Sequence, residues 1–155
     1  MDLETLKKVM QSRSFWPKKR LGQNFLVDRS VARRIIETLG EGKGPLMEIG
    51  GGFGALTDLL MNHHQPLYVL EPDPILYGYL LEHFWGKEGI VIEKKDFLKV
   101  FFHEYCRVPN ERFRIIGNLP YAITSPILLH LIDQRDFLQE AVVTVQKEVA
   151  ERITA

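Results

Sequence analysis

From residue 45 onward the chain alternates short apolar runs with helical stretches, and this rhythm restricts the fold more than any other feature. Pro45-Leu46-Met47-Glu48-Ile49, Leu67-Tyr68-Val69-Leu70, Gly89-Ile90-Val91-Ile92, Phe113-Arg114-Ile115-Ile116 and Ala141-Val142-Val143-Thr144-Val145 read as strands. Residues 55–62, 75–84 and 126–132 read as the helices between them. Runs this short and this continuously apolar are buried on both faces, which calls for a largely parallel sheet with helices on either side. The expectation is one doubly wound α/β domain of five strands, mostly parallel, and 155 residues are enough to enclose its core. Ahead of the sheet, residues 2–11 read as a short amphipathic helix, broken before Pro17. Asp28 or Ser30 then caps a helix with the apolar face Val31, Ile35, Ile36 and Leu39, ended by Gly40 and Gly42. Residues 146–155 open a further helix.

Ligands of such sheets sit outside the carboxyl ends of the strands, and the polar motifs fall there. Glu48-Ile49-Gly50-Gly51-Gly52-Phe53-Gly54 joins the first strand to the next helix, with Gly50, Gly52 and Gly54 allowing a sharp bend against a ligand. Alone, it is equally a plain tight turn. Glu71 then ends the second strand, placed to accept both hydrogen bonds from a ribose diol, and together the two favour a nucleoside ligand. A dinucleotide fold spaces its glycines as Gly-x-Gly-x-x-Gly so that a pyrophosphate reaches the helix N-terminus. Here the third glycine comes one residue early and the acid Glu48 precedes the turn. A carboxylate facing the ligand repels pyrophosphate but suits a sulfonium and an ammonium, which favours S-adenosylmethionine over a nicotinamide cofactor. Asp96, after the third strand, is placed to accept from an adenine amine, although by itself it reads as a surface loop acid.

The fourth strand runs into Gly117-Asn118-Leu119-Pro120-Tyr121. An amide and a backbone carbonyl can grip an exocyclic amine while the ring stacks on a base; an Asn-x-Pro turn is the plain alternative. Charge is unevenly spread: residues 1–45 hold ten Lys and Arg against five Asp and Glu, a net of +5, and residues 46–155 hold ten against fifteen, a net of −5. The basic segment is densest at Lys18, Lys19 and Arg20, a candidate polyanion contact. No apolar run approaches the length of a membrane span and no cleavable signal stands out. Cys106 is the only cysteine, which excludes an intramolecular disulfide and a cysteine metal site and fits a cytoplasmic location. No metal is expected: His63 and His64 read as a polar loop, and His83, His103 and His130 lie on or beside helical patterns. Phe97, Phe101, Phe102 and Tyr105, at near-helical spacing, read as core.

Six blocks stand in the order and spacing of the ribosomal RNA adenine N6,N6-dimethyltransferases: Gln23-Asn24-Phe25-Leu26, the glycine turn after Glu48, Glu71-x-Asp73, Asp96, Asn118-Leu119-Pro120-Tyr121 and Gln146-Lys147-Glu148-Val149-Ala150-x-Arg152. The chain resembles this family from about residue 18 to its end, most of all the bacterial small-subunit branch linked to kasugamycin sensitivity. The resemblance implies a Rossmann-like class I S-adenosylmethionine-dependent methyltransferase that dimethylates adenine N6 in small-subunit rRNA during assembly of that subunit, as a monomer. It implies that Gln23, Asn24 and Leu26 close over the cofactor, that Gly50 meets its amino-acid end, Glu71 its ribose and Asp96 its adenine, and that Asn118 bridges donor and target. Lys18, Lys19 and Arg20 would contact RNA phosphates. Ala122 stands where many relatives carry a second Asn. The expected organisation is a helical extension over residues 1–17 and a catalytic domain over 18–155 that lacks the last strands and C-terminal helical domain of such enzymes. A non-catalytic RNA-binding assembly factor, or an inactive fragment of the enzyme, is the alternative.

Overall fold

The computed structural model describes residues 1–62 and 66–155. The apolar runs form β1 (Leu46–Ile49), β2 (Leu67–Leu70), β3 (Ile90–Glu93), β4 (Phe113–Asn118) and β5 (Leu138–Thr144). They lie in the order β3-β2-β1-β4-β5, every neighbouring pair parallel. The helices are α1 (Leu3–Ser12), α2 (Arg29–Glu37), α3 (Thr57–Leu60), α4 (Pro74–His83), α5 (Thr124–Asp133) and α6 (Lys147–Ile153). The chain steps from β1 to β2 to β3 in one direction and returns to β4 on the other side of β1. The reversal leaves a crevice at the carboxyl ends of β1 and β4, where open α/β sheets take their ligands.

Side chains alternate across the strands. On one face Leu46 and Val69 pack with Leu60, Leu76, Leu80 and Phe53; on the other Met47 and Ile49 pack with Tyr68, Phe102, Phe113 and Ile115. Leu6 and Phe15 belong to the first of these cores, so residues 1–17 share it with the rest of the domain. Local chemistry sets the helix starts. Asp28, of the two expected caps, accepts the N–H groups of Ser30 and Val31 to open α2. Asp73 does the same for Ile75 and Leu76 ahead of α4, where Pro74 fills the first turn.

Two boundaries depart from expectation. The helix expected over residues 55–62 narrows to Thr57–Leu60, because the chain is still curled in the glycine turn, with the Gly54 N–H on the Gly51 carbonyl at 2.8 Å. β5 begins at Leu138, not Ala141, because Glu140 is held in the ladder by Arg114, 2% exposed, whose Nε donates to Glu140 Oε1 at 2.6 Å. The same guanidinium donates to the carbonyls of Gly40 and Gly42 and ties the end of α2 to the sheet. Among the four aromatics after β3, Phe97 and Phe102 are buried as expected, whereas Phe101 is 47% exposed; 3₁₀ turns at Phe97–Lys99 and Phe102–Glu104 replace a helix.

Gly51 allows the turn after β1 to lie against α4 and β2. A Cβ there would stand 2.5 Å from Val69 Cγ1 and 2.8 Å from Leu80 Cδ1. Gly51→Ala is expected to lower stability by about 1–3 kcal/mol through overpacking, read as a lower urea midpoint; an unchanged midpoint contradicts this packing.

Candidate active site

The crevice is lined by Asn24, Phe25, Gly50, Glu71, Asp96 and Asn118, among others. The backbone of the glycine turn forms its floor. The Gly50 N–H donates to the Leu70 carbonyl at 2.8 Å, and a Cβ at Gly50 would meet no atom within 4 Å, since it would project into the crevice. Glu71 is 4% exposed; its Oε2 accepts the Gly52 N–H and its Oε1 the Asp73 N–H, each at 2.9 Å. Each oxygen keeps a second lone pair, the capacity a ribose diol needs. Burial raises the Glu71 pKa, opposed by the two backbone donors. Asp96 lines the crevice and accepts the Leu98 N–H at 3.0 Å.

Glu48 projects from β1 into the same crevice and is 1% exposed. Thr57 at the start of α3 donates its hydroxyl to Glu48 Oε2 at 2.6 Å. Burial pushes the Glu48 carboxyl up to about 8, against the Thr57 bond and helped by the charges of Glu71 and Asp58. Glu48 therefore holds a proton near neutral pH, where the sequence suggested a standing carboxylate. Two buried acids suit a ligand that brings positive charge and hydroxyl donors, and disfavour one that brings pyrophosphate.

Residues 23–29 wrap one side of the crevice, with residues 18–22 leading into them. Gln23 Oε1 accepts the Lys18 backbone N–H at 2.8 Å, and the Phe25 ring meets those of Phe53 and Phe15 edge-on at 5.0 and 5.7 Å. Leu26 packs against the first core. Lys18 is set apart from the other two basic residues: its Nζ lies 2.7 Å from Oδ2 of Asp73, two residues beyond Glu71. Asp73 is 7% exposed, and although burial alone would raise its pKa, Lys18 and the α4 N–H groups hold it below the ordinary value. Of the three residues expected to contact phosphates, Lys18 alone has its ammonium in an ion pair, with Asp73. Lys19 and Arg20 are exposed, and among the described residues neither forms an ion pair.

These two basic residues lie in a turn, Lys19–Leu21, that packs against the turn Tyr121–Ile123. Gly22 makes the contact possible: its φ is +62°, its carbonyl accepts the Tyr121 N–H at 3.3 Å, and a Cβ would fall 2.8 Å from Tyr121 Cβ. Tyr121 is 41% exposed beside the basic turn. Asn118, at the end of β4, bridges the wrapping segment and the sheet. Its Nδ2 donates to the Asn24 carbonyl at 2.8 Å, and its Oδ1 accepts the Thr144 hydroxyl at 2.5 Å. Leu119 is 3% exposed, its side chain in the second core. The Pro120 carbonyl already accepts from the Thr124 hydroxyl and the Ile123 N–H.

Sequence reasoning missed Gly22, Gly51, Thr57 and Thr144, and quoted Phe25 without giving it a role. A glycine between the basic cluster and Gln23 was the one signal available for Gly22. His63 and His64 lie outside the described residues. His83 pairs with Asp58 at 3.2 Å and His130 with the Val100 carbonyl at 2.8 Å. Among the described residues no group of three His, Cys, Asp or Glu could hold a metal, and no helix is long and apolar enough to cross a membrane. Burial raises the Cys106 thiol, which hydrogen-bonds the Phe102 carbonyl.

The Glu48 carboxyl sets a pH dependence. Its folded-state pKa of about 8 lies above the ordinary 4.5, so the folded chain binds the extra proton and stability falls as pH rises from the ordinary value through the raised one. Glu48→Gln is expected to flatten the fall in melting temperature between about pH 5 and pH 9. Parallel curves for the two proteins would show that Glu48 is not protonated in the native state.

Comparison with known proteins places the geometry in a family. Residues 15–155 match the family model for "Ribosomal RNA adenine dimethylase". The ribosomal RNA small subunit methyltransferase A of Acidobacterium capsulatum is 44% identical over 139 residues, 89% of this chain and 49% of the relative. Among solved structures, the 23S rRNA methyltransferase ErmE superposes with a TM-score of 0.72 at 32% identity, over 83% of this chain and 50% of that one. A dimethyladenosine transferase from Plasmodium falciparum does so at 0.71 and 25%, over 85% and 46%. The fold is that of the Rossmann-like methyltransferases, and the chain spans about half the length of the curated relatives it matches.

Proposed function

Because this chain belongs to the ribosomal RNA adenine dimethylase family, we propose that its crevice binds S-adenosylmethionine and that Asn118 presents the exocyclic N6 of an adenine in small-subunit rRNA for successive methylation. The observation that carries the reading is the place of Asn118: it ends the strand beside β1, lines the crevice with Gly50, Glu71 and Asp96, and is held from both sides. The residues present fit the cofactor. Glu71 offers lone pairs to the ribose hydroxyls, Asp96 to the adenine amine, and the bare backbone at Gly50 admits the amino-acid end. Glu48, once ionised, faces the cation. When bound, the cofactor supplies a methyl group activated by its sulfonium.

The chain's own task is to orient the acceptor. An adenine amine is a poor nucleophile because its lone pair is delocalised into the ring. The free lone pair of Asn118 Oδ1 and a backbone carbonyl accept its two N–H groups, which draws the nitrogen toward tetrahedral geometry and frees that pair. Of the backbone carbonyls that follow Asn118 in the motif, that of Pro120 is engaged by Thr124 and Ile123, and that of Leu119 is the one assigned here. Positioning and local electrostatics then carry the rate enhancement. The exposed ring of Tyr121 stacks on the everted base, worth about 1–3 kcal/mol, while Lys19 and Arg20 beside it meet flanking phosphates. Ala122 is compatible with this scheme, since the grip comes from Asn118 and Leu119. The monomethylated amine re-enters with one N–H left to donate.

The direct test is transfer of labelled methyl groups from S-adenosylmethionine to unmodified small ribosomal subunits in a cytoplasm-like buffer, by this chain and by a form extended with the C-terminal half of the A. capsulatum relative. Label in N6-methylated adenine is expected; label in cytosine or protein, or none with either form, contradicts the proposal. Asn118→Ala is expected to slow transfer on the order of 100-fold while RNA affinity is retained; near-normal turnover would refute the gripping role. Lys18 divides from its neighbours in the same assays. Lys18→Glu should weaken cofactor binding, whereas reversing Lys19 and Arg20 together should weaken RNA binding, reduce its salt dependence and leave cofactor affinity unchanged. Equal loss of both affinities in both variants contradicts the assignment.

A further inference from the structure

Thr144 ends β5 directly beside Asn118 in the parallel ladder, so the two side chains stand on the same face of the sheet. We infer that Thr144 is a positioning residue for the proposed transfer: its hydroxyl holds the Asn118 side-chain oxygen so that one lone pair remains for the target amine. The inference rests on the methyltransferase reading above and adds to it a residue outside the Asn118-Leu119-Pro120-Tyr121 block.

A carboxamide has two N–H donors on nitrogen and two lone pairs on oxygen. The Asn24 carbonyl can only accept, so the group facing it at 2.8 Å is Nδ2. The group facing Thr144 is then Oδ1, and at 2.5 Å the hydroxyl must be the donor. One donor and one acceptor of the amide are thereby used on opposite edges, which fixes its rotation about the Cβ–Cγ bond. One N–H and one lone pair remain. The sheet holds the hydroxyl in place, because Thr144 and Asn118 are paired in register while Gly117 pairs with Val143 behind them. The wrapping segment supplies the other anchor, the Asn24 carbonyl. An apolar side chain of the same shape would keep the packing and lose the donor, leaving the oxygen edge free to swing.

A transfer step that depends on aligned atoms loses rate when its acceptor group is loosely held. Thr144→Val is expected to lower kcat about five- to tenfold, the size of one hydrogen bond, with KM for S-adenosylmethionine and melting temperature close to wild type. Thr144→Ser, which restores the hydroxyl, should return most of the rate. An independent readout is the side-chain amide signal of Asn118 in a ¹⁵N-labelled protein, identified by its loss in Asn118→Ala: it should move in Thr144→Val and return toward its original position in Thr144→Ser. A wild-type kcat in Thr144→Val, a Ser variant as slow as the Val variant, or an unmoved amide signal overturns the inference. If the wild-type chain and its extended form both transfer nothing, the proposed function fails first and takes the positioning role with it, an outcome visible before any variant is made.

Discussion

The Glu71 carboxylate holds the turn after β1 through the Gly52 N–H and the loop after β2 through the Asp73 N–H. A carboxylate this deeply buried is costly unless donors surround it, and here the donors are the backbones of the two loops that shape the crevice. The glycine turn, the start of α4 and the wrapping segment all refer to this point. Asp73 caps α4 and takes the Lys18 ammonium, Lys18 donates its backbone N–H to Gln23, and the chain then passes through Asn24 to the Asn118 amide. The end of β2 and the end of β4 are therefore connected through hydrogen bonds, an ion pair and the covalent step from Gln23 to Asn24.

Charge follows the same plan. The floor of the crevice carries Glu48, Glu71 and Asp96, while the exposed Lys19 and Arg20 stand at the turn that contacts Tyr121–Ile123. On the proposed reading, an acidic interior with a basic rim would keep a cationic small molecule apart from a polyanion without a dividing domain. Protonation of Glu48 relieves the repulsion that Glu71 would otherwise impose. A bound cation would favour the ionised form, so cofactor binding near neutral pH should release a proton.

Much of this was legible in the residues because it is local. The first four strands, the Asp28 cap and the bend at Gly50 to Gly54 each depend on neighbours within a few positions, and each stands within a residue or two of where the pattern put it. What could not be read depends on residues far apart in the chain. Lys18 meets Asp73 across 55 positions, and a run of three basic residues gives no sign that one of them is spoken for. Thr144 read only as a β-branched residue in a strand, since the register that brings it to Asn118 arises from pairing of β4 with β5. Glu140 read as loop because its partner, Arg114, lies 26 residues earlier in an otherwise apolar strand.

The central claim is spatial: a methyl donor seated on Glu71 and a purine amine held by Asn118 occupy one crevice. A crystal structure of the chain with S-adenosylhomocysteine and adenosine tests it most directly. The account predicts cofactor ribose hydroxyls on the Glu71 carboxylate and the N6 of the second adenine within hydrogen-bonding distance of Asn118 Oδ1. A cofactor bound elsewhere, or an Asn118 amide turned from the crevice with no space for a purine beside it, would contradict it.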